Sequence, residues 1–344
     1  MTSTMTSTTS GTPTTPTAPS STAATATAIG ERAPGQRVNP PTATPLLQVQ
    51  DLRVAFRRYQ RGLRQADLTV VDGMSLHVSR GEVVALVGAS GAGKSLLAYS
   101  VLGFLPTGAI EEGTVAWQGR ALGPGERARL AGRNLVLLPQ VLSALDPTAT
   151  VRSQARRAAR LVGRPARDGM AAVLATGLHA DVLRLYPHQL SGGMARRVLR
   201  AIALIGEPDL VIADEPTPGL GRREADEVLD HLRSLADAGR GVLLITHDIA
   251  LALRVTDRVV VVREGRSLDE AAVADFSGDG SRLQHPYTRA LWRALPSQGF
   301  RLPEIESPGT VRSDGGVPGG DGPDAREPGD HEDRDAAVLA RQSC

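Results

Sequence analysis

A chain of 344 residues, 41 % apolar and only 3 % aromatic, has material for one sizeable core, or for a core with an attached lobe. No run of about 18 uncharged apolar residues occurs, and Met1 opens onto Thr, Ser, Pro and Ala, so the sequence predicts a soluble, cytosolic protein. Cys344 is the sole cysteine, which excludes an internal disulfide or a cysteine-built metal site, and the net charge of +2 conceals an acidic end: ten acids against four arginines from Pro303 onward.

Residues 1–45 form a Thr/Ser/Pro/Ala-rich tract with too little apolar content to pack, and the sequence predicts a disordered extension there. The acidic, Gly/Pro-rich stretch 301–344 is expected to behave likewise. Between them, the apolar runs Val83–Val87, Leu135–Leu138, Leu210–Ala213, Val242–Ile245 and Val259–Val262 alternate with helical patterns, an α/β signature. The runs are apolar throughout rather than alternating, as expected for parallel strands covered on both faces. From Val151 to Ala203 such runs are missing, and a helical lobe spanning about 141–203 is expected.

The first chemistry-bearing segment is Gly88-Ala89-Ser90-Gly91-Ala92-Gly93-Lys94-Ser95, between the run Val83–Val87 and the helical run Leu96–Leu102. A glycine-rich turn there lets backbone N–H groups approach phosphates, and the helix presents its positive end to them. Lys94 is expected to reach the β- and γ-phosphates of a nucleotide, and Ser95 to ligate Mg²⁺. Lys94 is the chain's only lysine against 38 arginines, which marks a position where a compact ammonium is needed.

The second segment is Leu210-Val-Ile-Ala-Asp214-Glu215, an apolar strand that delivers two carboxylates to the carboxyl end of a sheet, where ligands bind in open α/β folds. Asp214 suits a Mg²⁺ ion, and Glu215 suits acceptance of a proton from an attacking water. The third, Leu243-Leu-Ile-Thr246-His247-Asp248, ends another strand in a histidine placed to meet the γ-phosphate and orient the water. Between the first two lies Leu190-Ser191-Gly192-Gly193-Met194, where a serine and two glycines at a helix start make a further anion-binding nest.

That last run, preceded by Tyr186-Pro187-His188-Gln189, resembles the signature motif of ABC-type ATPases, and the resemblance spans about Leu46 to Pro296. It implies a P-loop NTPase fold: a RecA-like core sheet, a helical signature-motif subdomain and a small N-terminal antiparallel β region, together forming one ATPase domain over 46–300. It further implies that Ser191, Gly192 and Gly193 close over the ATP held by a second ABC ATPase subunit, identical or related. Phe56 corresponds to the aromatic that stacks on adenine, with Tyr59 a neighbouring alternative. Gln140 corresponds to the loop glutamine that senses Mg²⁺ and the attacking water, and His247 to the switch histidine.

Ala144-Leu145-Asp146-Pro147, the Tyr186–Met194 run and His285-Pro286-Tyr287-Thr288-Arg289-Ala290-Leu291 resemble the branch serving oligopeptide, dipeptide and nickel importers. The resemblance therefore implies ATP and Mg²⁺ as ligands, transmembrane permease subunits and, indirectly, a solute-binding protein as partners, and a place on the inner face of the cell membrane. No nucleic-acid partner is expected, since no basic stripe with interleaved aromatics is present. Two other readings stand beside the importer: a non-transport ABC ATPase, and a regulatory subunit with weakened hydrolysis.

Two departures bear on that last reading. After Glu215-Pro-Thr217, Pro218-Gly219-Leu220-Gly221 places glycine where the family has an aspartate that crosses the dimer interface, and a helix starting near Arg222 loses a side-chain cap. In the signature helix, Met194-Ala195-Arg196-Arg197 stands where the family has Met-Arg-Gln-Arg. The cysteine-rich C-terminal extension of some relatives is not expected here, since residues 301–344 hold a single cysteine.

Overall fold

The computed structural model describes residues 44–59, 65–139 and 144–299. The N-terminal, C-terminal and Gln140 readings lie outside these residues, and so do the side chains of Tyr59 and its neighbours. Two strands, β1 (Leu47–Tyr59) and β2 (Gln65–Val78), precede β3 (Val83–Gly88) and α1 (Lys94–Leu102). Then come β4 (Ala109–Trp117), β5 (Arg120–Ala121), α2 (Pro124–Leu130) and β6 (Leu135–Leu138). Helices α3 (Val151–Leu161), α4 (Ala166–Leu174) and α5 (Gly192–Leu204) separate β6 from β7 (Leu210–Asp214). The remainder is α6 (Arg222–Asp237), β8 (Gly241–Thr246), α7 (Ile249–Ala252), β9 (Arg258–Arg263), β10 (Arg266–Ala272) and α8 (Pro286–Arg293).

The strands form an antiparallel sheet of order β2-β1-β4-β5 and a sheet of order β10-β9-β3-β8-β7-β6. In the second, β6, β7, β8, β3 and β9 run parallel, while β10 returns antiparallel along β9 at one edge. All five apolar runs are strands of this sheet, each as long as or slightly longer than its apolar stretch.

Their unbroken hydrophobicity has a simple cause, because alternate residues point into two different cores. Val84, Leu86, Ile212, Ile245 and Val260 pack with the antiparallel sheet and with Leu97 and Val101 of α1. Val83, Ala85, Val211, Leu244 and Val259 pack under α6, α7 and α8. Leu229 and Leu232 of α6 are fully removed from water, each adding roughly 1.5–3 kcal/mol. The helices between β6 and β7 have a core of their own, built from Leu145, Val151, Ala155, Val173, Val182 and Val198 among others.

The His285–Leu291 run begins α8, with Pro286 in its first turn and His285 as its cap, Nδ1 accepting from the Tyr287 N–H at 3.1 Å. Thr288 and Trp292 bury the inner face of this helix, and the Trp292 indole donates to Gly278 O at 3.1 Å.

Candidate nucleotide-binding site

The sheet order brings the three chemistry-bearing segments together. β3 lies between β9 and β8, and β8 pairs with β7, so the carboxyl ends of β3, β8 and β7 are consecutive along one edge. Val87 is level with Thr246, and Ile245 with Asp214. Ligands of open α/β sheets bind at this edge, where the strand order reverses.

β3 ends at Gly88, where a Cβ would stand 2.4 Å from the Val262 carbonyl oxygen, so only glycine permits the close pairing of β3 with β9. The loop then climbs through Ala89, Ser90 and Gly91, which are exposed, and turns into α1 at Gly93. Gly93 caps that helix at φ 85°, a left-handed conformation with a Cβ position already crowded by Val71. Neither a side-chain cap nor an acidic residue occupies the first turn of α1, which leaves its N–H groups and partial positive charge to an anion.

Lys94 is buried, with Nζ donating to Gly88 O at 2.7 Å and to Ala89 O at 3.0 Å. Burial pushes its pKa down, and the carboxylates of Glu215 and Asp214 push it back up. Its ammonium is thus held inside the loop by carbonyls that an incoming phosphate can outbid, since a charge-assisted bond is about twice as strong as a neutral one.

Asp214 ends β7 buried, and Oδ1 has no hydrogen-bond partner among the described residues. Burial raises its pKa, against a hydrogen bond from Ser95 that lowers it. A buried carboxylate oxygen lacking a partner, beside a hydroxyl at the phosphate loop, is a donor set that suits Mg²⁺. That ion takes one or two protein oxygens and completes its shell from phosphates and water. No cluster of three or more His, Cys, Asp or Glu able to hold a metal occurs among the described residues.

Glu215 follows at φ 45°, a left-handed conformation unfavourable for a non-glycine residue. The conformation is held from three sides. Its N–H donates to Ile245 O at 2.9 Å, Oε2 accepts from Thr246 Oγ1 at 3.3 Å, and Oε1 lies 2.8 Å from His247 Nδ1. The Glu215 side chain is 13 % exposed and that of His247 57 %, so the pair shows its imidazole edge to solvent. Asp248 then caps α7, with Oδ1 accepting from Leu251 N at 3.0 Å and its own N–H donating to Thr246 Oγ1. Thr246 therefore organises both neighbours, a role concealed in the sequence because threonine is also an ordinary strand residue.

Ser191 caps α5, its Oγ accepting from Met194 N at 3.3 Å, and Gly192 and Gly193 make the first turn. The Tyr186–Gln189 run ahead of it is fixed by Gln189, whose Oε1 accepts from Tyr186 N at 2.8 Å. Ser191 and Gly192 are exposed, so this nest faces outward. Phe56, on β1, is half-buried against the core of the antiparallel sheet. Gly221 caps α6 with no side chain to do so.

A family profile described as ABC transporter matches residues 71–218. The oligopeptide transport ATP-binding protein OppD of Mycobacterium tuberculosis is 39 % identical over 280 residues, covering 76 % of this chain and 44 % of that protein. A probable peptide ABC transporter ATP-binding protein, y4tR, of Sinorhizobium fredii is 35 % identical over 296 residues, covering 79 % of this chain and 84 % of that one. The chain thus spans less than half the length of the OppD relative and most of the second.

Among solved structures, a post-hydrolysis dimer of the ATP-binding cassette MJ0796 bound to ADP and Pi superposes with a TM-score of 0.56 at 23 % identity, over 66 % of this chain and 98 % of that one. An ATP-binding subunit of an ABC transporter superposes with a TM-score of 0.54 at 28 % identity, over 67 % and 91 %. With the phosphate loop, the paired carboxylates, the histidine and the outward-facing nest on one α/β frame, the chain belongs to the ABC transporter family, among its ATP-binding proteins.

Proposed function

We propose that this chain binds and hydrolyses ATP as one half of a pair of ATPase subunits that powers an ABC-type importer, with peptides as cargo. The observation that carries the reading is the convergence at one sheet edge of Lys94, Asp214, Glu215 and His247, with Glu215 held in place by His247 and Thr246.

The loop from Gly88 through Ser90, Gly91, Ala92 and Gly93 cradles the phosphates with backbone N–H groups, and Lys94 neutralises them. Mg²⁺ supplies further charge neutralisation when bound, and Ser95 and Asp214 would hold it, with Gln140 joining them from outside the described residues. Glu215 takes a proton from the attacking water as its oxygen bonds to the γ-phosphorus and the bond to the β–γ bridging oxygen breaks, leaving ADP and phosphate. His247 orients Glu215 through Nδ1, and the other nitrogen of its largely exposed ring is left for the water or the nucleotide. Phe56 stacks on the adenine. Ser191, Gly192 and Gly193 close on the ATP of the second subunit, an identical or related chain that presents the same phosphate loop.

No helix among the described residues is long and apolar enough to cross a membrane, so permease subunits would carry the cargo and hold this chain at the inner face. Of the cargo classes that the sequence leaves open, peptides gain support from the relatives' names, and nickel does not. Purification of the full-length chain from membranes tests the reading. Permease chains and a second ATPase subunit should accompany it, and the complex should turn over MgATP faster with a peptide-loaded solute-binding protein. A chain that purifies without membrane partners and hydrolyses no ATP would overturn it.

A further inference from the structure

We infer that Arg196, on the signature helix, is a positioning residue that ties this helix to the loop carrying Glu215. The inference rests on the ATPase reading above. Its guanidinium crosses from α5 to the loop after β7, Nη2 donating to Pro218 O at 3.2 Å. Pro218 stands three residues after Glu215, in a turn closed by Leu220 N donating to Thr217 O at 3.1 Å. Both partners are half-buried, and Arg196, Glu215, Pro216 and Leu220 line a common cavity of about 90 Å³. A second tie, Arg197 to Glu227 at 3.8 Å, joins α5 to α6 beyond the loop, but it is exposed and worth little.

The link has a mechanical consequence. Glu215 sits in an unfavourable backbone conformation, so the loop that follows it must be held to keep it there. One end of the tie is the helix whose first turn, Ser191 to Gly193, meets the other subunit's nucleotide in the proposed assembly. A shift of that helix on docking is passed by Arg196 to Pro218, and from there to the catalytic carboxylate of the same chain. Glycine at 219 and 221 makes this loop otherwise loosely specified, so the arginine supplies the constraint.

Initial rates over an MgATP series on the full-length chain, purified with its accompanying subunits, test this with three variants. Arg196→Met keeps the apolar stem but no donor, and kcat is expected to fall about tenfold with KM and the Kd for ADP within about twofold of the unsubstituted complex. Arg196→Lys, which restores a donor, should recover at least about a third of the lost rate, and Arg196→Gln, a shorter donor, should fall between them. Equal loss in Lys and Met variants, kcat within twofold of the unsubstituted complex for Met, or a Kd for ADP that weakens in step with kcat would each overturn the inference. If Arg196→Met does not fold, the Lys and Gln variants decide: Lys faster than Gln and both below the unsubstituted rate, with an unchanged Kd for ADP, support the donor role, and both at full rate or both reduced equally refute it. An unsubstituted complex with no turnover would instead sink the ATPase reading itself.

Discussion

His247 Nδ1 lies 2.8 Å from Glu215 Oε1, while Thr246 Oγ1 reaches Oε2 of the same carboxylate. The two ties are separable, which ranks the variants. Glu215→Gln removes the proposed proton acceptor and should lower MgATP hydrolysis by about 10²–10⁴-fold while ATP still binds. His247→Ala leaves the Thr246 bond in place and should cost less, about tenfold. Steady-state rates with a filter-binding measurement of ATP retention check both, and the reverse ranking would mean that the histidine, not the glutamate, carries the proton.

Lys94→Arg keeps the charge and should still fail. The ammonium of the buried Lys94 fits between Gly88 O and Ala89 O because it is compact, whereas a bulkier planar fork does not match that point-like geometry. Calorimetric titration with MgATP should show affinity weakened at least about tenfold. Unchanged affinity and turnover in that variant would refute the geometric argument.

Asp214→Asn should stabilise the nucleotide-free chain near neutral pH while abolishing the added stability that MgATP confers. Burial raises the carboxyl's pKa, so its contribution to folding is present below the unfolded-state pKa and is lost as pH rises through the raised folded-state value. Above that window the ionised side chain is a cost that asparagine removes, about 1 kcal/mol or about 2–4 °C in Tm. Thermal scans at acid and neutral pH test the sign: the gain should shrink as pH falls, and a gain that grows would show that burial is not its cause.

Gly221→Asp should raise stability. The residue caps α6 at φ −65° and ψ 157°, ordinary extended values, and a Cβ there meets nothing within 4 Å. An aspartate can therefore cap the helix and place a negative charge at its positive end, worth about 0.3–1 kcal/mol. Urea midpoints read the change, and a lower midpoint would show that the aspartate does not reach the capping position.

The parts of the fold that the sequence announces are those where one physical demand dominates. β3, β7, β8 and β9 are apolar through their central positions because both faces are covered, and Gly88–Ser95 is marked by spacing. β10 escapes that logic, since Arg266, Asp269 and Glu270 lie on an edge strand with Arg266 paired to Asp72. The site divides in the same way. Asp214, Glu215 and His247 are legible because strands end in them, whereas the left-handed turn at Glu215, the hydroxyl of Thr246 and the reach of Arg196 arise from neighbours remote in the chain, which no local pattern records.

The left-handed backbone at Glu215 also decides what another residue would gain or lose there. Glycine would occupy that φ of 45° without steric cost, so Glu215→Gly sets relief of the backbone against loss of the side-chain bonds to Thr246 and His247.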